Sequence, residues 1–257
     1  MGGYLISATQ IHIEAILLLG LSSLVLIVLF ILRGRKGPRP SMRQVPAFQD
    51  LRDETGRAAE SGGALHIALG SGELYGEDAM TSLASLQVVE SLADEAVSYS
   101  APPVITVGAL TLLPLAQDIL RRAYERSGRP EAYDPGKVRF VAPSPVAYAA
   151  GAANTISSEN ITASMTVGSF GPEASLITNA GSRHDLPQLA GLADPRAISA
   201  LYPTTDRLAM GEELYTGGAQ MTGERRYLVG LVAQDILRIV VALLVVFMAA
   251  LVLLGAY

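Results

Sequence analysis

Residues 64–72, Ala-Leu-His-Ile-Ala-Leu-Gly-Ser-Gly, have the pattern of a β-strand that ends in a glycine-rich turn. Five of the first six residues are apolar, as in a strand that is buried on both faces. Residues 78–98 follow, and their apolar side chains recur at three- and four-residue spacing, which is typical of an amphipathic helix. A strand followed by such a helix predicts a βα unit.

The same alternation of strand and helix continues along the middle of the chain. Strands separated by helices of about ten to twenty residues form right-handed βαβ units with a parallel sheet. The pattern therefore predicts a Rossmann-like α/β domain, with a mostly parallel sheet flanked by helices, over residues 48–222. The order of the strands in the sheet does not follow from the sequence. The strand candidates are 64–69, 103–107, 138–142, 161–167, 186–192 and 204–210, and the helix candidates between them include 78–98, 110–127, 145–156 and 172–179.

Three of the strand candidates end in glycine-rich segments. Ligands of doubly wound sheets bind outside the carboxyl ends of the strands, where glycine lets the backbone approach and a helix N-terminus favours an anion. One hypothesis is therefore a sensor or binding module for a nucleotide or phosphorylated metabolite. The alternative is that tight strand-to-helix turns use glycine and serine without any ligand. The candidate ligand-binding residues are Gly70, Ser71, Gly72, Glu73, Gly108, Gly168, Ser169 and Glu173.

Complete phosphate-binding motifs are absent from the sequence. Tyr75 stands where the third glycine of G-x-G-x-x-G would follow Gly70 and Gly72, and no G-x-x-x-x-G-K-[ST] motif occurs. The net charge of −5 and the isoelectric point near 5.3 also argue against a nucleic-acid partner.

Patterns for catalysis or metal binding are sparse. The chain has no cysteine, and its three histidines lack H-x-x-x-H spacing, so neither a cofactor nor a metal site is expected. Ser182, His184 and Asp185 are close in sequence, which favours a polar loop over a catalytic triad. His66 lies within a strand and is expected to be a core histidine. No catalytic residue is assigned, and an enzyme is the last of three functional hypotheses.

Two apolar runs flank the predicted domain. Ala15 to Leu32 and Ile239 to Tyr257 carry no charge, and each is about long enough to span a bilayer core. Five basic residues follow the first run, and the positive-inside rule places that flank in the cytoplasm. The sequence thus predicts an integral membrane protein with two spans, both termini outside and a cytoplasmic middle domain. The five basic residues are Arg33, Arg35, Lys36, Arg39 and Arg43.

The predicted organisation has four parts. Residues 1–33 form an N-terminal transmembrane helix, and 34–47 form a basic, proline-rich linker. Residues 48–222 form the cytoplasmic α/β domain, and 223–257 form a juxtamembrane and C-terminal transmembrane helix.

This layout, together with the stretch Met-Gly-Glu-Glu-Leu-Tyr-Thr-Gly-Gly-Ala at 210–219, resembles an uncharacterised prokaryotic membrane-protein family. The family is known only as a domain of unknown function. The resemblance implies the architecture and carries no activity, substrate or catalytic residue.

The leading functional hypothesis is a membrane-anchored structural or assembly protein. Its α/β domain would mediate self-association or partner binding, so the expected partners are the lipid bilayer and a homo-oligomer or larger membrane complex. The small residues of the stretch Ala-Tyr-Ala-Ala-Gly-Ala-Ala at 147–153 favour close packing of this kind.

Overall fold

The structure is a computed structural model that describes residues 45–101 and 103–222, together with residues 16, 20, 23, 24, 27, 28, 238–242 and 246. The chain divides into two compact units. One consists of Met1–Met42 and Gly223–Tyr257, and the other of Arg43–Thr222. The fold below is that of the second unit.

Strands and helices alternate along this unit, as the apolar periodicity predicts. The strands are β1 (Ala64–Gly70), β2 (Val104–Val107), β3 (Val138–Phe140), β4 (Ile161–Ser169), β5 (Gln188–Leu192) and β6 (Arg207–Met210). The helices are α1 (Pro46–Ser61), α2 (Ala79–Ser98), α3 (Leu113–Arg126), α4 (Pro145–Ser158), α5 (Ser175–Arg183), α6 (Pro195–Leu201) and α7 (Glu213–Thr222).

The six strands form one sheet in the order β3-β2-β1-β4-β5-β6. Every neighbouring pair is parallel, so the prediction of an α/β fold with a parallel sheet and flanking helices is confirmed. The chain starts in the centre, builds outward through β2 and β3, and crosses over to continue from β4. This order is also found in dinucleotide-binding sheets, whose ligand crevice lies between the first and fourth strands.

Alternate residues of the strands face two separate apolar cores. Leu65, Ile67 and Leu69 of β1 pack in one core with side chains of α2 and α3. Ala68 lies in the other core, with residues of α4, α5 and α6. Two layers of helices therefore cover the sheet, as burial of both faces of a parallel sheet requires.

Helix α4 packs its small residues against its own sheet. Tyr148, Ala149 and Ala152 are fully buried in the second core. A Cβ added at Gly151 would lie 2.2 Å from a Cγ of Val141, on the loop after β3. Close packing within the domain thus accounts for Ala149, Gly151 and Ala152, whereas Ala147 and Ala150 are exposed.

The predicted membrane localisation is wrong. Among the described residues, no helix is long and apolar enough to cross a membrane. The longest described helix, α2, has 20 residues but carries Glu90, Asp94 and Glu95. Three carboxylates would each have to be transferred into the hydrocarbon core at a cost of about 2.5 kcal/mol or more.

The sequence features at the two ends lie largely outside the described residues. Only a few residues of Ala15–Leu32 and of Ile239–Tyr257 are described, and residues 29–44 and 223–237 are not. The basic linker at 34–47 and the four-part division of the chain stay predictions.

Candidate functional site

The candidate site is the edge of the sheet where the carboxyl ends of the strands meet. Each helix that joins two parallel strands must run back along the sheet, so helix N-termini also lie at this edge. The structure brings the three glycine-rich strand ends together there. The Gly108 amide donates to the Gly70 carbonyl over 2.8 Å, and the Ser71 amide donates to the Ser169 carbonyl over 3.3 Å.

The glycines at this edge allow one stretch of backbone to approach another. Gly70 has φ +80°, and a Cβ there would lie 2.4 Å from the Ser169 carbonyl oxygen. Gly168 has φ +130° and would meet the Leu69 carbonyl oxygen at the same distance. The pairing shifts by one residue at this point, because Val167 and Gly168 of β4 stand opposite Leu69 alone in β1. The crevice between β1 and β4 is therefore filled by the chain itself.

Gly72 and Gly108 show the same close contacts. A Cβ at Gly72 would lie 2.5 Å from the Ser169 Cβ, and one at Gly108 would lie 2.9 Å from the Tyr148 ring. The Ser82 hydroxyl on α2 also donates to the Gly72 carbonyl over 3.0 Å. Each of the two glycines is thus explained by packing inside the domain, without a ligand.

Three carboxylates hold the loops of this edge in place. The Ser169 hydroxyl donates to Asp78 over 2.5 Å, which ties the end of β4 to the start of α2. The Thr111 hydroxyl donates to Glu73 and joins the loops after β1 and β2. Glu173 accepts from the Gly171 amide over 2.7 Å. A carboxylate therefore already occupies a backbone donor of the loop after β4, where a phosphate would be expected.

The charge of this edge is strongly negative. The loops and first helical turns after the described strands contain seven carboxylates and one arginine, Arg196, which is paired with Asp194 at 2.9 Å. Such a field repels phosphate and opposes the favourable dipole of the helix N-termini. Ligand binding at the predicted residues stays a prediction, and the geometry and charge of the edge weigh against an anionic ligand. The seven carboxylates are Glu73, Glu77, Asp78, Glu173, Asp194, Glu212 and Glu213.

Large apolar side chains are exposed at the same edge. Among the side chains between residues 45 and 222 whose burial the structure describes, ten large apolar ones are exposed, and eight of these lie on loops, strand ends or the first two helical turns at the carboxyl ends. Tyr99 and Tyr202 are the other two and follow helix C-termini at the opposite edge. The eight are Tyr75, Met80, Leu83, Leu110, Leu115, Val146, Leu176 and Met210.

Five of these side chains form what we call the carboxyl-end surface: Tyr75, Met80, Leu83, Leu110 and Leu115. They belong to the loops after β1 and β2 and to the starts of α2 and α3. The Leu74 amide donates to the Thr111 hydroxyl over 3.3 Å and holds the two loops side by side. The helices pack in one core, and Arg126 of α3 bonds Asp94 of α2. The surface is therefore carried by two adjacent, mutually fixed βα units.

A buried polar network lies beneath the edge and supports Gly70. The Gly70 amide donates to the Tyr148 hydroxyl over 3.2 Å, and that hydroxyl donates to the Thr106 carbonyl over 3.0 Å. The imidazole of His66 contacts the Thr106 hydroxyl at 3.1 Å and the Ser164 hydroxyl at 3.3 Å. These bonds join β1, β2, β4 and α4 below the glycine-rich loops.

Burial determines the protonation of this network. It lowers the pKa of His66 to about 3, with a smaller contribution from the positive charge of Arg139. Burial also raises the pKa of Tyr148 to about 12. Both side chains are therefore neutral at physiological pH, and His66 is a hydrogen-bonded core histidine, as its position in a strand predicts.

The remaining sequence candidates do not converge on a catalytic centre. Ser182, His184 and Asp185 are exposed at the end of α5, at the opposite edge of the sheet. His184 contacts Ser157 at 3.4 Å rather than the neighbouring carboxylate. Within the described part of the chain, no group of three or more His, Asp or Glu side chains is placed to hold a metal ion.

A polar cleft of about 730 Å³ at the amino ends of β5 and β6 was not predicted from the sequence. Its walls come from α1, the end of α5 and the starts of the two strands. Because these segments are far apart in the sequence, no local motif predicts the cleft. The carboxylate of Asp206 accepts a hydrogen bond from the backbone amide of Gln188 over 2.7 Å. The buried side-chain Oε1 of Gln188 has no partner among the described residues. Its charged side chains are of both signs: Asp53, Glu54, Arg57, Asp185, Asp206 and Arg207.

Fold and edge together define an α/β protein with a six-stranded parallel sheet, a filled central crevice and an acidic, apolar carboxyl edge. Residues 6–256 match the family described as "Domain of unknown function (DUF6754)", and the chain belongs to that family. This confirms the expectation of an uncharacterised family, whereas its prokaryotic character stays a prediction. No curated protein and no solved structure matches the chain.

Proposed function

We propose that the α/β domain is an assembly module that binds another protein through the carboxyl-end surface. The observation that carries this proposal is the exposure of Tyr75, Met80 and Leu110, each at least 60% accessible, on one edge. Single exposed apolar residues are common, but a group of them on one surface is characteristic of interaction sites. The glycine-rich crevice on the same edge is filled, so the surface offers side chains to a partner rather than a pocket to a small molecule.

The apolar side chains of this surface would contribute part of the free energy of a specific contact. Full burial of a large apolar side chain contributes about 1.5–3 kcal/mol, and these five are roughly half exposed, so their burial is worth about 5 kcal/mol. Such a core of apolar contacts within a polar rim is the usual composition of a protein interface. The loops are also fixed by hydrogen bonds, so little conformational entropy is lost on binding.

Site-specific photocrosslinking tests this function in the cells that naturally produce the full-length chain. A photoreactive amino acid replaces Leu110 in one variant and Tyr202 in the other. Tyr202 is the matched control because it is 73% exposed but lies at the opposite edge. We expect a covalent protein adduct from position 110 and none from position 202. No adduct at either position, or equal adducts at both, would contradict the proposal.

A second variant distinguishes the loss of partner binding from the loss of the fold. Met80→Asp places a charge on the first turn of α2, where the side chain is 67% exposed and supports no core contact. The adduct from position 110 should be lost in this background while the unfolding midpoint is unchanged. Persistence of the adduct would show that the partner does not cover α2.

A further inference from the structure

We infer that the partner recognised by the carboxyl-end surface is a basic protein segment in which arginine or lysine alternates with apolar residues. This inference rests on the proposed function and specifies the chemistry of its partner. It depends on the charges around the apolar side chains, which form an observation separate from their exposure.

Three carboxylates of the loop after β1 lie beside the apolar group. Glu73 and Asp78 flank Tyr75 in the loop after β1, and both are held by hydroxyl donors from neighbouring loops. Glu77 is exposed between them. Because the loop is held from both sides, these charges keep a fixed spacing from the apolar side chains. Fixed charges of one sign around an apolar centre select a partner of the opposite sign.

In the described loops and first helical turns of the edge, one basic side chain stands against these carboxylates. This side chain, Arg196, is bound to Asp194 through two guanidinium nitrogens. The acidic field therefore extends outward, where it raises the association rate of a basic partner and repels nucleic acid and other anions.

A second copy of the described domain does not provide the complementary surface. Two carboxyl-end surfaces face to face would oppose like charges. The arginines of α3 are also engaged with carboxylates, since Arg121 and Arg122 bond Asp118 and Arg126 bonds Asp94. These arginines do not form a net basic face, so a segment rich in unpaired arginine or lysine is the better complement.

Two peptides test the charge requirement with the full-length protein. One fluorescent peptide has twelve residues in which leucine and arginine alternate, and the other has glutamate in place of each arginine. We expect the arginine peptide to bind and the glutamate peptide not to bind. Raising the salt from 50 to 500 mM should weaken binding of the arginine peptide about tenfold, because salt screens exposed charges.

Charge reversal at the edge provides the matched pair of variants. Glu77→Lys should lower the affinity for the arginine peptide about threefold to tenfold. This is the range expected when an attraction between exposed charges becomes a repulsion. Glu131→Lys is the control, because Glu131 is also exposed but lies between α3 and β3 at the opposite edge. Equal effects of the two variants, or binding of both peptides, would overturn the inference.

The photocrosslink from position 110 separates this inference from the function on which it rests. Mass spectrometry of the adduct identifies the partner segment. A segment with a net positive charge supports the inference. An adduct on a neutral or acidic segment overturns it while the proposed binding function stands, and the absence of any adduct removes both.

Discussion

Lowering the pH from 8 to 5 is expected to destabilise the α/β domain because His66 cannot be protonated in the folded state. Burial holds its folded pKa at about 3, whereas an unfolded histidine has a pKa of 6.5. Between these values the unfolded chain binds one more proton than the folded chain, so stability falls as the pH falls. Above pH 6.5 the domain has the full stability that depends on a neutral His66.

The size of the loss follows from the unfolded pKa. Each pH unit below that value costs about 1.36 kcal/mol, so at pH 5 the free energy of unfolding is lower by about 2 kcal/mol than at pH 8. This figure is insensitive to the folded value, because any folded pKa well below 5 gives the same result. The loss is a large fraction of the stability of a typical domain.

Urea unfolding at pH 8 and pH 5, followed by circular dichroism, measures this loss. In His66→Gln, whose amide can still meet the hydroxyls of Thr106 and Ser164, the loss should disappear. His184→Gln is the control and should retain it, because His184 is exposed and lies outside the buried network. A wild-type protein with equal stability at the two pH values would refute the reasoning. Titration of the His66 ring by NMR gives an independent check, since the ring should stay neutral down to pH 5.

Three substitutions at the carboxyl ends of the strands and after α5 are each expected to change the midpoint of urea unfolding. Tyr148→Phe should cost about 1–3 kcal/mol, because the buried Gly70 amide loses its acceptor; an unchanged midpoint would exclude that bond. Gly168→Ala should destabilise by about 2 kcal/mol or more, because φ +130° is strained for alanine and the Leu69 carbonyl blocks the methyl group. Asp185→Gly should stabilise by about 0.5–1 kcal/mol, since Asp185 has φ +52° after a helix end where glycine is favoured; destabilisation would show that its carboxylate makes a needed contact.

The central strands of this fold could be predicted because they are buried on both faces. Residues 64–69 and 161–167 are almost uninterrupted in apolar and small side chains, and each is followed by a helix with clear periodicity. The strand order could not be predicted, since it depends on contacts between residues far apart. The Gly70 amide, for instance, binds the hydroxyl of Tyr148, 78 residues later in the chain.

The glycine-rich strand ends were predicted from the sequence to lie together, and the structure places them at one edge of the sheet, whereas their role in ligand binding stays a prediction. A glycine that admits a ligand and one that admits another strand have the same local sequence pattern. Gly168 belongs to the second kind because β4 contains one extra residue opposite β1, which only the pairing reveals. The two apolar runs predicted membrane spans from hydropathy alone, and no described helix has the length and apolar character of a span.

The accessibility of single cysteines in living cells tests the central claim most directly. The chain contains no cysteine, so Leu110→Cys and Tyr202→Cys each introduce one reporter thiol. A membrane-permeant maleimide is applied to intact cells and to the purified protein, and the labelled fractions are compared by mass. If a partner covers the carboxyl-end surface, the thiol at position 110 is protected in cells and labelled after purification, whereas that at 202 is labelled in both. Equal labelling of position 110 in cells and in the purified protein would contradict the account.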